Sequence, residues 1–170
     1  MITKLKIIDK AFDLLNIKPE DRTIGGECFR RANLFYNPVR DEMLRAKKWD
    51  FAITKQDLKF IGEGCWEYPT NALSVIQINH KMNGQYLSFE EQYNIELERR
   101  IIYCPYSQVV AQIIRNDLQE KDFSEDFVDV FSLALASDLC ICLLGNLDKQ
   151  QELMQKLFLK LGSINETSVE

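Results

Sequence analysis

A chain of 170 residues, 46% hydrophobic and 28% charged, has the size of one domain and buries about 70% of the surface its unfolded form exposes. These proportions lie near globular averages and exclude general disorder, collagen-like repeats and low-complexity sequence. Twenty-one Lys and Arg against 26 Asp and Glu leave a net charge of −5, the wrong sign for a broad phosphate-clamping face, so tight nucleic-acid binding is disfavoured.

Charges at Lys4, Lys6, Asp9 and Lys10 break any signal-peptide core and predict synthesis in the cytoplasm. Thr3 can cap a helix in which Leu5, Ile8, Phe12 and Leu15 recur at helical spacing, ending at Asn16 ahead of Lys18-Pro19. Gly25-Gly26 resembles a phosphate loop only in holding glycine, since no strand precedes it and no Gly-Lys-Ser/Thr follows. It reads as the break before a second helix, whose stripe is Cys28, Ala32, Phe35, Val39, Met43 and Ala46. Pro38 is expected to kink or split that helix. The basic pairs Arg30-Arg31 and Lys47-Lys48 stand amid acidic neighbours and read as solvated helix surface.

Helical periodicity fades after Trp49. Leu73 to Asn79 reads as a strand, Asn83-Gly84 as the two positive-φ residues of a tight hairpin turn, and Gln85 to Glu90 as the returning strand. Tyr93, Ile95 and Leu97 alternate with Asn94, Glu96 and Glu98, the period of a half-exposed strand. Ile101 to Tyr103 and Val109 to Ile114 are further strands, with Pro105 barring a ladder bond between them. Trp49, Phe51, Trp66 and Tyr68 flank the passage from helix to sheet and read as core or subunit-interface packing.

From Ser124 the helical period returns, and Phe127, Val130, Phe131, Ala134, Leu135, Leu139 and Ile141 surround the helix, making it the central one. Phe127 to Leu144 has the length of a membrane span, but Asp129, Asp138 and two serines interrupt it, so a core helix and no membrane partner are expected. Gly145 ends it. Asp148 with Gln151 reads as a capping box for a last helix through Leu153, Leu157 and Leu161, closed by Gly162. The expected fold is α+β and mainly α, in a single domain over 1–170. A bundle of about four helices (1–48 and 122–162) carries a small antiparallel β-sheet (49–118) between helices two and three, and 163–170 forms a flexible tail.

Chemistry-bearing clusters are scarce. Five cysteines, Cys28, Cys65, Cys104, Cys140 and Cys142, are an odd number without a CxxC pair and read as reduced buried thiols. Cys140 and Cys142 point their thiols about 200° apart on a helix, which suits packing and not a metal. The single histidine, His80, sits beside the hairpin turn, and a catalytic dyad would need Cys65 or Cys104 folded onto it. Glu90, Glu91, Glu96 and Glu98 read as a solvated sheet face before they read as an acid–base pair. The expectation is no enzyme, no metal and no cofactor, which leaves a structural or interaction role.

The order of features is itself informative. Ala11-Phe12-Asp13-Leu14-Leu15 ends the first helix, a long helix runs into Trp49-Asp50-Phe51-Ala52, then come Tyr68-Pro69-Thr70-Asn71-Ala72-Leu73-Ser74-Val75, a sheet, and Phe127-x3-Phe131-x-Leu133-Ala134-Leu135-Ala136. Over residues 5 to 160 this resembles the head-to-tail adaptor family of short-tailed bacteriophages, the tail tubular protein A-like proteins. The resemblance implies a virion protein of the neck, made in the host cytoplasm and assembled as a dodecameric ring. It would sit beneath the portal protein, join it to the tail nozzle, and line the channel through which genomic DNA passes without sequence-specific binding. It also implies that Trp49, Phe51, Tyr68 and Pro69 shape the joint between bundle and sheet, and that Phe127, Phe131 and Ala134 lie in the helical core.

Three departures from the family pattern stand out: Pro38 inside a helix that is normally continuous, Pro69 directly after Tyr68, and only a short tail after Leu161. Ring closure is expected through repeated heterologous contacts. Portal docking is assigned to the segment from Asp148 onward, and the Asn83-Gly84 hairpin is a candidate for the tail side or the lumen. The alternatives are a non-virion regulatory or interaction domain, and a hydrolase using His80 with a cysteine.

Overall fold

The computed structural model describes residues 1–166 and divides them into two compact units, a helical unit of Met1–Phe51 with Leu118 onward, and a β unit of Ala52–Asp117. The helical unit begins where Thr3 Oγ1 accepts the Lys6 N–H at 3.3 Å and starts α1 (Lys4–Leu14). Its inward face is Ile7, Ile8, Ala11 and Phe12, so Ile7 takes the inward position in place of the half-exposed Leu5.

Gly26, in extended conformation, opens α2 (Glu27–Ala46), and a Cβ there would meet the Thr23 carbonyl oxygen at 3.0 Å. The buried stripe is Phe29, Ala32, Tyr36, Val39 and Met43, joined by Leu44. Cys28 and Phe35 are only half-buried and Ala46 is exposed, contrary to the expected stripe. Adjacent positions on a helix lie 100° apart, so two overlapping arcs were open to the sequence. Ring contacts select between them: Phe29 meets Phe12 edge-on at 5.3 Å, and Tyr36 meets Phe131 at 4.8 Å. Pro38 does not split the helix, which runs unbroken through it. Pro38 lies on the solvent side, where a missing backbone bond is tolerated.

Ser124 Oγ accepts the Phe127 N–H and starts α3 (Glu125–Leu144), and Gly145, at φ +60°, returns its N–H to the Ile141 carbonyl to close it. Phe127, Val130, Phe131, Ala134, Leu135 and Leu139 are buried, and α1 and α2 both pack on α3, which is the central helix of the bundle. Ile141 departs from expectation, being 43% exposed near the end of the helix. By length and hydropathy alone α3 passes for a membrane span, and 56% of that stretch is buried within the protein.

The last helix, α4 (Leu147–Glu166), also packs on α3, through Leu153 and Leu157. Asp148 is not its cap. Asn146 Oδ1 accepts the Lys149 N–H at 2.9 Å, so Asn146 caps the helix and Asp148 lies inside the first turn, where its carboxylate faces the positive helix end. Nor does Gly162 stop the helix, because a glycine ends a helix by turning left-handed, and Gly162 keeps a negative φ. Ser163 to Glu166 are therefore helical, while residues 167–170 of the expected tail lie outside the described residues. The fold is α+β and mainly α, with the strands between helices two and three.

The β unit holds β1 (Ile53–Asp57), β2 (Phe60–Gly62), β3 (Cys65–Glu67), β4 (Ala72–His80), β5 (Tyr86–Leu87), β6 (Glu90–Asn94), β7 (Arg99–Tyr103) and β8 (Val109–Arg115). They form two four-stranded antiparallel sheets, β1-β8-β4-β5 and β2-β3-β7-β6, in place of the single sheet expected. Val75, Ile78, Ala111 and Ile113 of the first sheet share one core with Trp66 and Ile102 of the second.

Two expected elements change here. Ile95, Glu96, Leu97 and Glu98 are not strand but the turn between β6 and β7, with Asn94 facing Arg99 across the ladder. Asn94 Oδ1 accepts the Leu97 N–H at 2.8 Å, and the side chain thereby builds the turn. The β4–β5 connection is also longer than a two-residue hairpin. Asn79 pairs with Tyr86, and the Gly84 N–H reaches the His80 carbonyl at 2.9 Å. Only Gly84 has positive φ; Asn83 instead accepts the Gln85 N–H through Oδ1 at 3.0 Å.

Candidate functional site

Trp49 and Phe51 belong to the helical unit, and both rings converge on Phe127. Trp49 meets it edge-on at 5.1 Å and Phe51 at 5.3 Å, while Phe123 and Phe131 complete the cluster. The Trp49 indole N–H donates to the Met43 carbonyl at 2.8 Å, which satisfies one of the carbonyls left over at the end of α2. Tyr36, whose ring meets Phe131 of this cluster at 4.8 Å, donates its hydroxyl to Glu120 at 3.1 Å. Burial first, then the Glu120 carboxylate, raise the Tyr36 phenol well above its ordinary value, so it stays protonated as a donor.

Tyr68 and Pro69 belong to the β unit. The Arg100 guanidinium sits 4.3 Å from the Tyr68 ring centroid, and Tyr68 packs on the sheet core. Pro69 is buried and its carbonyl accepts the Ala72 N–H at 3.2 Å, turning the chain into β4. Asn83 and Gly84 lie at the exposed tip of the β4–β5 loop, braced by the Asn79 amide, which donates to the Gly84 carbonyl at 2.9 Å.

The residues weighed for chemistry are dispersed. His80 Nδ1 accepts the Met82 N–H at 3.2 Å within its own loop, while Cys104 is fully buried in the sheet core. Glu91 pairs with Arg100, and Glu96 and Glu98 are held in the β6–β7 turn, so no carboxylate pair shares a strand face there. The Cys140 and Cys142 thiols donate to different carbonyls, those of Asn146 and Leu139. Of the five thiols expected to be buried, only Cys104 and Cys140 are; Cys28 and Cys65 are half-buried and Cys142 is exposed. Desolvation at the sulfur pushes the Cys140 and Cys142 thiols up from their ordinary value. Among the described residues no three His, Cys, Asp or Glu side chains gather as metal ligands. Arg30 and Arg31 both pair with Glu27, which holds that carboxyl below its usual value.

Two concave surfaces stand out. One, of about 260 Å³, lies in the β unit under Phe60, Trp66, Pro105 and Tyr106. Trp66 fixes its wall by donating its indole N–H to the Cys104 carbonyl at 2.9 Å. The other is a groove of about 350 Å³ between α2, α3 and α4. Val39, Met43, Ala134 and Leu157 form its floor, Met154 and Phe158 its solvent-reached wall, and Glu42 and Asp138 its rim. Met154 and Phe158 stand one position beyond the buried Leu153 and Leu157, outside the stripe of Leu153, Leu157 and Leu161 that the periodicity picks out, so the sequence reading missed this groove. A scan against protein-family models and a search of curated proteins each find no match to this chain.

Proposed function

We propose that this chain is a head-to-tail adaptor of a phage virion, a ring-forming protein that seats beneath the portal, joins it to the tail and surrounds the DNA exit channel. The observation that carries this reading is the apolar surface of the last helix, where Phe158 is 64% and Leu159 75% exposed on the same element as Leu147 and Met154. Apolar side chains exposed along one helix suit a surface that meets another protein. The order of elements, with Trp49, Phe51, Phe127 and Phe131 converging at the end of the long helix, supports the family likeness drawn from the sequence. A net charge of −5 suits a wall past which DNA slides without counterion release.

In this reading α4 faces the portal and the loop bearing Asn83 and Gly84 faces the tail or the lumen. Subunits close the ring through heterologous contacts. The deciding measurement is the native mass of the protein alone and mixed with the portal protein of the same genome, followed by particle imaging. A multi-copy ring seated on the portal is expected. A monomer or dimer that ignores the portal overturns the reading and leaves a non-virion interaction domain in its place.

A further inference from the structure

The central helix of the bundle is covered unevenly. α1, α2 and α4 each pack on α3, whereas α2 and α4 make at most marginal contact with one another. The opening between them is the groove of about 350 Å³. Along α4 its wall runs from Gln150 through Met154 and Phe158 to Leu161, a length of about 16 Å at about 1.5 Å per residue, or about three helical turns. A trough of that length between two helices, floored by a third, has the shape that ridge-and-groove packing fills with another helix.

Charge narrows the occupant. Glu42 from α2 and Asp138 from α3 stand at the rim, and among the described residues neither pairs with a Lys or Arg. Elsewhere on the bundle Glu27, Asp129 and Glu152 each hold a cationic partner. Partial desolvation first, and then the Glu42 carboxylate, raise the Asp138 carboxyl above its ordinary value, as expected of an acid with no cation beside it. An anionic lipid surface would be repelled by this rim, and a concave trough does not fit a flat one.

We propose that the α2–α3–α4 groove seats a basic amphipathic helix of another protein, its apolar stripe against Met154 and Phe158 and its Lys or Arg side chains against Glu42 and Asp138. This deepens the adaptor reading and rests on it only for the source of the helix. The added helix completes the cover over α3 and supplies the missing counter-charges.

The test uses the full chain and three synthetic helical peptides of about five turns. One has a Leu stripe flanked by Lys, one the same stripe flanked by Glu, and one the Lys peptide scrambled so that no stripe remains. The Lys-flanked peptide is expected to bind at least about tenfold more tightly than the other two, and Glu42→Gln with Asp138→Asn to weaken it by about tenfold. Both substituted side chains are exposed, and Phe158→Ala provides a second, independent loss of binding.

Equal binding of Lys- and Glu-flanked peptides, or of the scrambled one, overturns the inference. So does absence of binding, or a self-association that these substitutions abolish, which would assign the groove to a second copy. Portal association is measured separately on the same variants. Peptide binding without portal association removes the adaptor reading and keeps the groove; portal association without peptide binding does the reverse.

Discussion

The Trp49 indole N–H and the Met43 carbonyl, 2.8 Å apart, tie the chain leaving α2 back onto that helix's own last turn. The bond ends the helix and aims the Trp49 ring at Phe127 in one step. Trp49→Phe keeps most of the ring but orphans the carbonyl, at a cost of about 1–2 kcal/mol, against about 3–5 kcal/mol for Trp49→Ala. Urea denaturation of both variants checks this; a Phe variant as stable as the parent would show that the bond contributes nothing.

The start of α4 separates two neighbouring residues. Asn146 accepts the Lys149 N–H, so Asn146→Ala is expected to cost about 1 kcal/mol, and Asp148→Ala only about 0.3–0.5 kcal/mol through the helix dipole. Thermal melts of the two variants should fall in that order. The reverse order would return the capping role to Asp148.

Asp129 and Asp138, both on α3, should shift acid stability in opposite directions. Asp129 pairs with Lys10 of α1 and with Lys160 of α4, at 3.3 Å for the latter. Partial burial works against its ionisation, but the Lys10 and Lys160 contacts outweigh it and lower its carboxyl. A lowered folded value gives stability that is present above the unfolded carboxylate value, about 4, and lost as pH falls through the folded one. Asp129→Asn should therefore destabilise near neutrality, by about 1 kcal/mol or less because the pair is solvent-screened, and flatten the acid limb.

Asp138 is raised, so its ionised form opposes folding above its folded value, and the penalty fades as pH falls toward about 4. Asp138→Asn should stabilise slightly at neutral pH and lose that gain in acid. Denaturant midpoints across pH for both variants read the two signs directly.

Pro38 interrupts the backbone bonding of α2 without ending the helix. Its side chain is exposed, so replacing it removes no core contact. Pro38→Ala restores a helical N–H and is expected to stabilise by about 1–3 kcal/mol. A neutral result would mean that the helix has already relaxed around the proline.

The helices were legible because their apolar residues recur at helical spacing and their ends carry Thr3, Ser124 and Gly145. What failed was rotation about the axis: Phe35 and Tyr36 fit the pattern equally well, and Phe131, far along the chain, decides between them. The strands were harder. Lys55, Gln56 and Asp57 in β1 give no alternation, and the strand exists because it pairs with Gln112, Ala111 and Val110 of β8. Ile95 and Leu97 imitated a strand by alternating with acids, although Asn94, a turn-building side chain, was there to be read. The Gly62-Glu63-Gly64 turn, all three at positive φ, was likewise a signal for the β2–β3 hairpin. Of the groove, Val39, Met43 and Leu157 were visible as stripe residues, but the opening above them depends on where α2 and α4 lie along α3.

The strands that begin and end the β unit, β1 and β8, are ladder partners, with Ile53 opposite Ile114. The long excursion between α2 and α3 therefore leaves and returns at nearly the same point. A flexible segment of that length would tax the meeting of the two helices by about 2 kcal/mol more than a short turn, at about 0.6 kcal/mol per doubling of loop length. Once β1 and β8 have zipped, that tax disappears, and the bundle experiences the whole insert as a connector of a few residues. Exposed loops between the zipped ends, such as the one that bears Asn83 and Gly84, can then change in length and surface without reaching that ladder.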